Sequence, residues 1–246
     1  MAPPSPDLSG RIALVTGATR GIGRAAALAL AKAGAHVIAV GRTQGALEEL
    51  DDEVRTATGL PATLVPLDLG NGDGVDQLGG QIHQRWGRLD ALVGNAAILG
   101  LTTPTAHLDP KVWDQVMAIN LTANYRLIRS MDPLLRASDA GRAVFVSSAA
   151  ARYAPAFWAA YSTSKAGLQA LAFTYADEVE HTAIRVAVID PGAVRTGMRA
   201  RAFPGEDPMT LPPPEAIAPM IVELCAPSSQ PPREVLSYAD WTPATA

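Results

Sequence analysis

Seven short runs of this chain are apolar almost without interruption. They are RIALVTG (11–17), HVIAVGR (36–42), ATLVPLD (62–68), LDALVGN (89–95), RAVFVSS (142–148), IRVAVID (184–190) and EVLSY (234–238). A strand with one wet face alternates apolar and polar residues, whereas a strand buried on both faces reads as a continuous apolar run. The pattern therefore predicts parallel strands covered on both sides. Between them the spacing becomes helical, over 22–33, 44–57, 73–86, 110–136 and 158–180. Gly34 follows the first of these helices as a C-terminal stop. Strands alternating with helices, joined by right-handed crossovers, wind into a doubly wound α/β sheet.

The rhythm breaks at 193–215, which is rich in Pro, Arg and Gly. It reads as an inserted loop with a short helix. No internal repeat or linker divides the chain. The expected organisation is a mobile, Pro-rich lead-in over 1–9, one domain over 10–238 and a tail over 239–246.

Composition narrows the class. The 246 residues are 48% hydrophobic and 18% charged, enough for a sizeable core and too apolar for a disordered chain. A formal net charge of −4 argues against a broad nucleic-acid-binding face. The single cysteine, Cys225, excludes an intrachain disulfide and suits a reducing, cytoplasmic setting. The opening MAPPSPDLSG lacks the basic and apolar regions of a secretory signal, and no run approaches the ~18 apolar residues of a membrane span. His36, His83, His107 and His181 share no ligand spacing with one another or with Cys225, so no metal site is expected.

Candidate chemistry gathers at strand ends. The first strand runs into Thr16-Gly17-Ala18-Thr19-Arg20-Gly21-Ile22-Gly23. Glycines there let a backbone approach a diphosphate, and the helix that follows offers free N–H groups and a positive dipole end. A structural turn is the other reading. The second strand ends Val40-Gly41-Arg42-Thr43, without the acid that would hold a ribose 2′-hydroxyl. Arg42, joined by Arg20, can take a 2′-phosphate in forked contacts, which favours NADPH over NADH. In AAYSTSK (159–165), Tyr161 and Lys165 stand one helical turn apart on one face. A cation beside a phenol favours the phenolate, so the pair can move a proton. Each residue also has a structural reading as helix filler, cap or solvated charge.

The marks TGATRGIG, Asp68, Asn95-Ala96-Ala97, Asn120, Ser148 at 13 positions before Tyr161, YSTSK and PGAVRT (191–196) occur in one order. Over residues 10–238 this order resembles the short-chain dehydrogenase/reductase family. MRARAFPGEDPMTL, after the PG turn, resembles a bacterial subgroup described as oxidoreductases or oxoacyl reductases. The resemblance implies a single-domain Rossmann fold and an NADP(H)-dependent oxidoreductase that reduces a ketone or aldehyde carbonyl. Tyr161 would be the general acid and Ser148 a second donor to the carbonyl oxygen. Lys165 would lower the Tyr161 pKa and hold the nicotinamide ribose, and Asn120 would hold a water for proton resupply. The cofactor set would be Gly17, Thr19, Arg20, Gly21, Ile22, Gly23, Arg42, Thr43, Asp68, Leu69, Asn95, Ala96, Tyr161, Lys165, Pro191, Gly192, Val194 and Thr196. Asp68 would accept from the adenine amino group, Asn95 would lie near the adenine ribose, and Thr196 would face the nicotinamide amide.

The same resemblance places Ile98, Leu99, Arg152, Tyr153, Phe157, Trp158, Met198 and Phe203 around a small-molecule carbonyl or alcohol, under a lid over 197–214. It implies a homodimer through the long helices, or a homotetramer, with no nucleic-acid or membrane partner. Ala97 stands where the family carries a glycine, so its φ must tolerate a Cβ. Two alternatives accompany this reading. One is a 3-oxoacyl thioester (acyl-carrier or CoA) reductase. Asp139 and Thr182, where such enzymes carry arginine, speak against it; Arg126, Arg129 and Arg136 speak for it. The other is a non-catalytic NADP-binding sensor.

Overall fold

The computed structural model describes residues 6–242. All seven apolar runs form strands: β1 Ile12–Thr16, β2 His36–Gly41, β3 Thr63–Pro66, β4 Ala91–Gly94, β5 Arg142–Val146, β6 Arg185–Asp190 and β7 Val235–Ser237. They pair in parallel in the order β3-β2-β1-β4-β5-β6-β7. The helices are α1 Gly21–Lys32, α2 Gln44–Thr58, α3 Gly72–Trp86, α4 Pro110–Met117, α5 Ala123–Arg136, α6 Ala150–Tyr153, α7 Ala159–Glu178, α8 Gly197–Ala202 and α9 Pro214–Leu224. Gly34, at φ +98, lies just beyond the end of α1 as expected.

The pleat explains the unbroken apolar runs. Ala13 and Val15 of β1, Val37 and Ala39 of β2, and Val144 and Val146 of β5 pack on one face, against α1, α2 and α9. Their neighbours Ile12, Leu14, Ile38, Val40, Ala143 and Phe145 pack on the other, with residues of α3, α5 and α7. Successive side chains point to opposite faces, and both faces are covered.

The structure departs from the sequence reading in several places. Residues 110–136 are not one regular helix: a π-helical turn over Ala118–Thr122 separates α4 from α5. The helix α9 has no counterpart in the sequence reading, yet it packs along α1. Pro214 at its first turn is compatible with a helix, but Pro219 inside it breaks the expected pattern. Leu8, placed in the lead-in, is buried, and its N–H donates to Ala33 O at 2.7 Å. Trp241, placed in the tail, stacks on Tyr238 and donates from Nε1 to Glu223. The rest of the lead-in (1–5) and of the tail (243–246) lies outside the described residues.

A parallel sheet has two unlike edges. At the amino ends of the strands, buried Asp90 accepts from Ile12 N–H (2.8 Å) and the Ser138 hydroxyl (2.6 Å) and pairs with Arg88 and Arg11. Nearby, buried Arg142 donates to the carbonyls of Gly141, Ala183, Ala226 and Pro227. These contacts close that edge. The carboxyl ends open into the cleft described next.

Candidate active site

A cleft of ≈ 320 Å³ runs across the carboxyl ends of the strands. At one end lies the β1–α1 turn. Gly17 (φ +66) and Gly21 (φ +56) take left-handed conformations that side chains resist. Gly23 is not part of the wall. A Cβ there would lie 2.3 Å from Gly17 O and 2.4 Å from Asn95 Nδ2, so its bareness lets α1 pack against the turn. The first turn of α1 holds no acidic residue and has no side-chain cap. Its N–H groups are thus left for a ligand, and Thr19, Arg20, Gly21 and Ile22 line the cleft beside them. Exposed Arg42 and Thr43 line the same end, with Leu67, Asp68 and Leu69. This cradle fits a dinucleotide diphosphate, with two cations at hand for a further phosphate.

Asn95 lines the cleft, but its amide is committed to the turn. Nδ2 donates to Thr16 O at 2.9 Å. Thr16 Oγ1 in turn accepts from Asn95 N–H (3.0 Å) and Ala96 N–H (3.1 Å) and donates to Val93 O (3.2 Å). Thr16 is therefore the peg joining β1 to the end of β4, a role its position in the sequence did not disclose. Among the described residues the only non-glycine positive φ values are at Ala154 and Phe157. Ala97 thus carries its Cβ without backbone strain.

At the other end stand Ser148, Tyr161 and Lys165, all in the cleft wall. Tyr161 and Lys165 lie on α7 and are 8% and 2% exposed. Lys165 Nζ donates to Val146 O at 2.7 Å and lies 5.9 Å from the Tyr161 ring centre. Ser148 Oγ accepts from Ala150 N–H at 3.2 Å. Burial governs both titrations. It pushes the Tyr161 phenol up to about 12, with Ser148 pulling the other way and Asp190 adding to the rise. The same burial pushes Lys165 down to about 8. The expected lowering of Tyr161 by Lys165 does not govern here; desolvation of the phenolate does. Asp190, at the end of β6, is a neighbour that sequence reasoning missed; its Oδ1 accepts from Gly192 N–H at 3.0 Å.

Asn120 is fully buried in the π-helical turn and does not line the cleft. Its Oδ1 accepts from Ile98 N–H (2.8 Å), and Nδ2 donates to Ile98 O (2.9 Å) and Ser164 Oγ (3.0 Å). Its own carbonyl accepts from Asn124 Nδ2 (2.9 Å). Through these bonds Asn120, the residue expected to hold a water, ties the segment after β4 to the helix carrying Tyr161. The PG turn contributes Pro191, Gly192, Val194 and Thr196 to the wall. Thr196 Oγ1 accepts from Arg199 N–H at 3.2 Å and caps α8, which leaves the hydroxyl proton to donate elsewhere.

The substrate end differs from expectation. Ile98, Leu99, Trp158 and Met198 line it, whereas Arg152, Tyr153, Phe157 and Phe203 are exposed outside the wall. Ala97, Ile119, Ser147, Arg199 and Ala202 line the cleft unforeseen. Trp158 meets Tyr161 edge-on, with ring centres 5.7 Å apart, and Phe203 leans on Trp158 at 5.7 Å.

Comparison with known proteins agrees with this architecture. Residues 11–207 match the model of the short chain dehydrogenase family. The oxidoreductase YciK of Escherichia coli K12 is 40% identical over 225 residues, 91% of this chain and 89% of its own. A short chain dehydrogenase from Shigella flexneri 2a, solved in complex with NADP, superposes with a TM-score of 0.91 at 38% identity, covering 95% of this chain and 99% of its own. The 3-oxoacyl-acyl-carrier-protein reductase FabG of Thermotoga maritima is 33% identical over 195 residues, 78% of this chain and 77% of its own. The chain belongs to the short-chain dehydrogenase/reductase family and is an NAD(P)-dependent oxidoreductase. Enzymes of this family act on small molecules, and no helix among the described residues is long and apolar enough to cross a membrane.

Proposed function

We propose that this enzyme reduces a ketone or aldehyde carbonyl to an alcohol with NADPH, Tyr161 giving the proton. The observation that carries the reading is one cleft with Ser148, Tyr161 and Lys165 at one end and open helix amides beside Arg20 and Arg42 at the other. NADPH, when bound, supplies the hydride. Ser148 and Tyr161 direct two hydroxyls at the carbonyl oxygen, which gains charge as it is reduced. The raised Tyr161 pKa keeps the phenol protonated and able to donate throughout the neutral range. Lys165, with its amino group drawn toward Val146 O, holds the ribose hydroxyls and supplies positive charge to the phenolate left behind. Asn120 braces the Ile98 segment and α7 in register. Arg20 and Arg42 hold the 2′-phosphate, consistent with the NADP complex of the Shigella relative. The chain acts in the cytoplasm, as a homodimer or homotetramer through the helices over 110–136 and 158–180.

A small substrate is favoured over a carrier-bound thioester. Arg126 and Arg129 both pair with Asp76, and Arg136 pairs with Asp132. Asp139 is engaged by Arg11 at 2.6 Å. The helix face that an acidic carrier would need is thus largely self-neutralised.

The test is a titration with NADPH and NADH, followed by a panel of ketones, aromatic aldehydes, quinones and acetoacetyl thioesters. NADPH oxidation with one class is the expected result. Tyr161→Phe should abolish that turnover with NADPH affinity nearly intact. Tight NADPH binding without turnover on any class would favour an NADP sensor instead.

A further inference from the structure

The lid brings one cation to the substrate end of the cleft. Arg199, on α8, lines the cavity among Ile98, Leu99, Trp158, Met198 and Ala202. One edge of its guanidinium is already engaged. Nε and Nη2 donate to the two carboxylate oxygens of Glu206 at 2.6 and 2.7 Å, a fork-to-fork pair. The guanidinium carbon also stands 3.8 Å from the centre of the Phe203 ring, which leans on Trp158, the residue meeting Tyr161 edge-on. Both members of the pair are only about one quarter exposed, at 28% and 27%. Arg199 holds Glu206 below its usual carboxylate range, so Glu206 stays ionised across the neutral range.

The pair turns a cationic wall into a neutral one. A substrate carboxylate reaching this wall would find the forked Nε/Nη2 edge already held by Glu206 and would gain no net attraction from a neutral pair. An uncharged carbonyl compound would meet only apolar side chains and the two hydroxyls.

We infer that Glu206 sets the charge selectivity of the cleft: by holding Arg199 in a forked pair, it makes the enzyme select uncharged carbonyl compounds and reject their carboxylate counterparts. Glu206 touches no substrate and acts through Arg199, so it is a positioning residue. The inference rests on the carbonyl-reductase reading of the same cleft and specifies its substrate class. In Glu206→Gln the acceptor pair is broken and Arg199 becomes available to an incoming anion. A charge-assisted bond to a freed guanidinium, at about 1.4 kcal/mol per tenfold, corresponds to at least about a tenfold change in affinity.

The test uses the NADPH-loaded protein and two flat apolar probes of one shape, 2-naphthamide and 2-naphthoate, titrated by calorimetry. The wild type should bind the amide better than the carboxylate. Glu206→Gln should raise the carboxylate-to-amide affinity ratio at least about tenfold. The double variant should stay near the wild-type ratio, because it presents neither charge, and Arg199→Met alone, which leaves Glu206 without its cation, should fall to or below that ratio. A structural disturbance of the lid would weaken both probes together and leave the ratio unmoved. A wild type that prefers the carboxylate, or a double variant whose ratio rises as far as that of Glu206→Gln, would overturn the inference. So would an unchanged ratio in a Glu206→Gln protein that melts like the wild type. Absence of binding by either probe to any variant would instead overturn the apolar carbonyl site itself.

Discussion

Lys165 is the point at which the cost of this site can be measured without a substrate. Its amino group is fully buried, and burial alone lowers its pKa from 10.5 to about 8. A group with a depressed basic pKa is held by the folded state less tightly than by the unfolded one. Below pH ~8 the lysine is protonated in both states, and the full cost of burying the charge opposes folding. Between pH ~8 and ~10.5 the folded protein releases the proton while the unfolded chain keeps it. Stability attributable to this residue therefore rises with pH across that window. At about 1.36 kcal/mol per unit, the relief reaches about 2–3 kcal/mol by pH 10. Tyr161 works the other way, because its raised pKa contributes stability that is lost as pH climbs from 10 to 12. The window from pH 8 to 10 is thus the clean one. The assay is urea unfolding of the wild type and Lys165→Met at pH 7, 8, 9 and 10, taken as a difference so that other groups cancel. The advantage of the wild type over the variant should grow by about 2–3 kcal/mol from pH 7 to pH 10. A flat difference would show that the folded protein does not depress this lysine, and the argument from burial would fail.

Other outcomes follow from the same geometry. Because Lys165 loses its charge near pH 8, kcat/KM for carbonyl reduction should fall above that pH, and Lys165→Arg should push the falling limb higher at reduced activity; a profile with no limb below pH 10 would contradict this. Arg42→Asp should shift the NADPH-to-NADH preference by tenfold or more, since a contact of about 1.4 kcal/mol is replaced by repulsion; unchanged preference would reduce Arg42 to a solvated charge. Asn120→Ala removes three buried side-chain hydrogen bonds and strands the Ile98 N–H and C=O, at about 3 kcal/mol. A melting temperature lower by about 6–12 °C is expected, and a shift under 2 °C would remove its bracing role.

What was legible in the sequence follows from what burial enforces locally. The central strands could be read because they are covered on both faces and are apolar over most of their length. The glycine turn was legible because left-handed φ and close packing leave few options at Gly17, Gly21 and Gly23. Three features were hidden. Pro219 masks α9, whose stability comes from packing on α1 instead of from its own propensity. The π-helical turn at Ala118–Thr122 lies inside a stretch that reads as one long helix, and Asn120 within it is buried outside the cleft wall. The partners of Arg199 and Thr16 depend on how distant segments meet, which periodicity does not encode.

The unlike edges of the sheet make this molecule easy to orient on a solid support. Ala137 is exposed on the turn leading into β5, at the edge remote from the cleft mouth. Cys225, the only native thiol, is buried, and its pKa is pushed up to about 12, so it resists alkylation. Ala137→Cys would therefore provide one reactive anchor per chain, and an electrode or bead coupled there would attach at the edge of the sheet opposite the cleft.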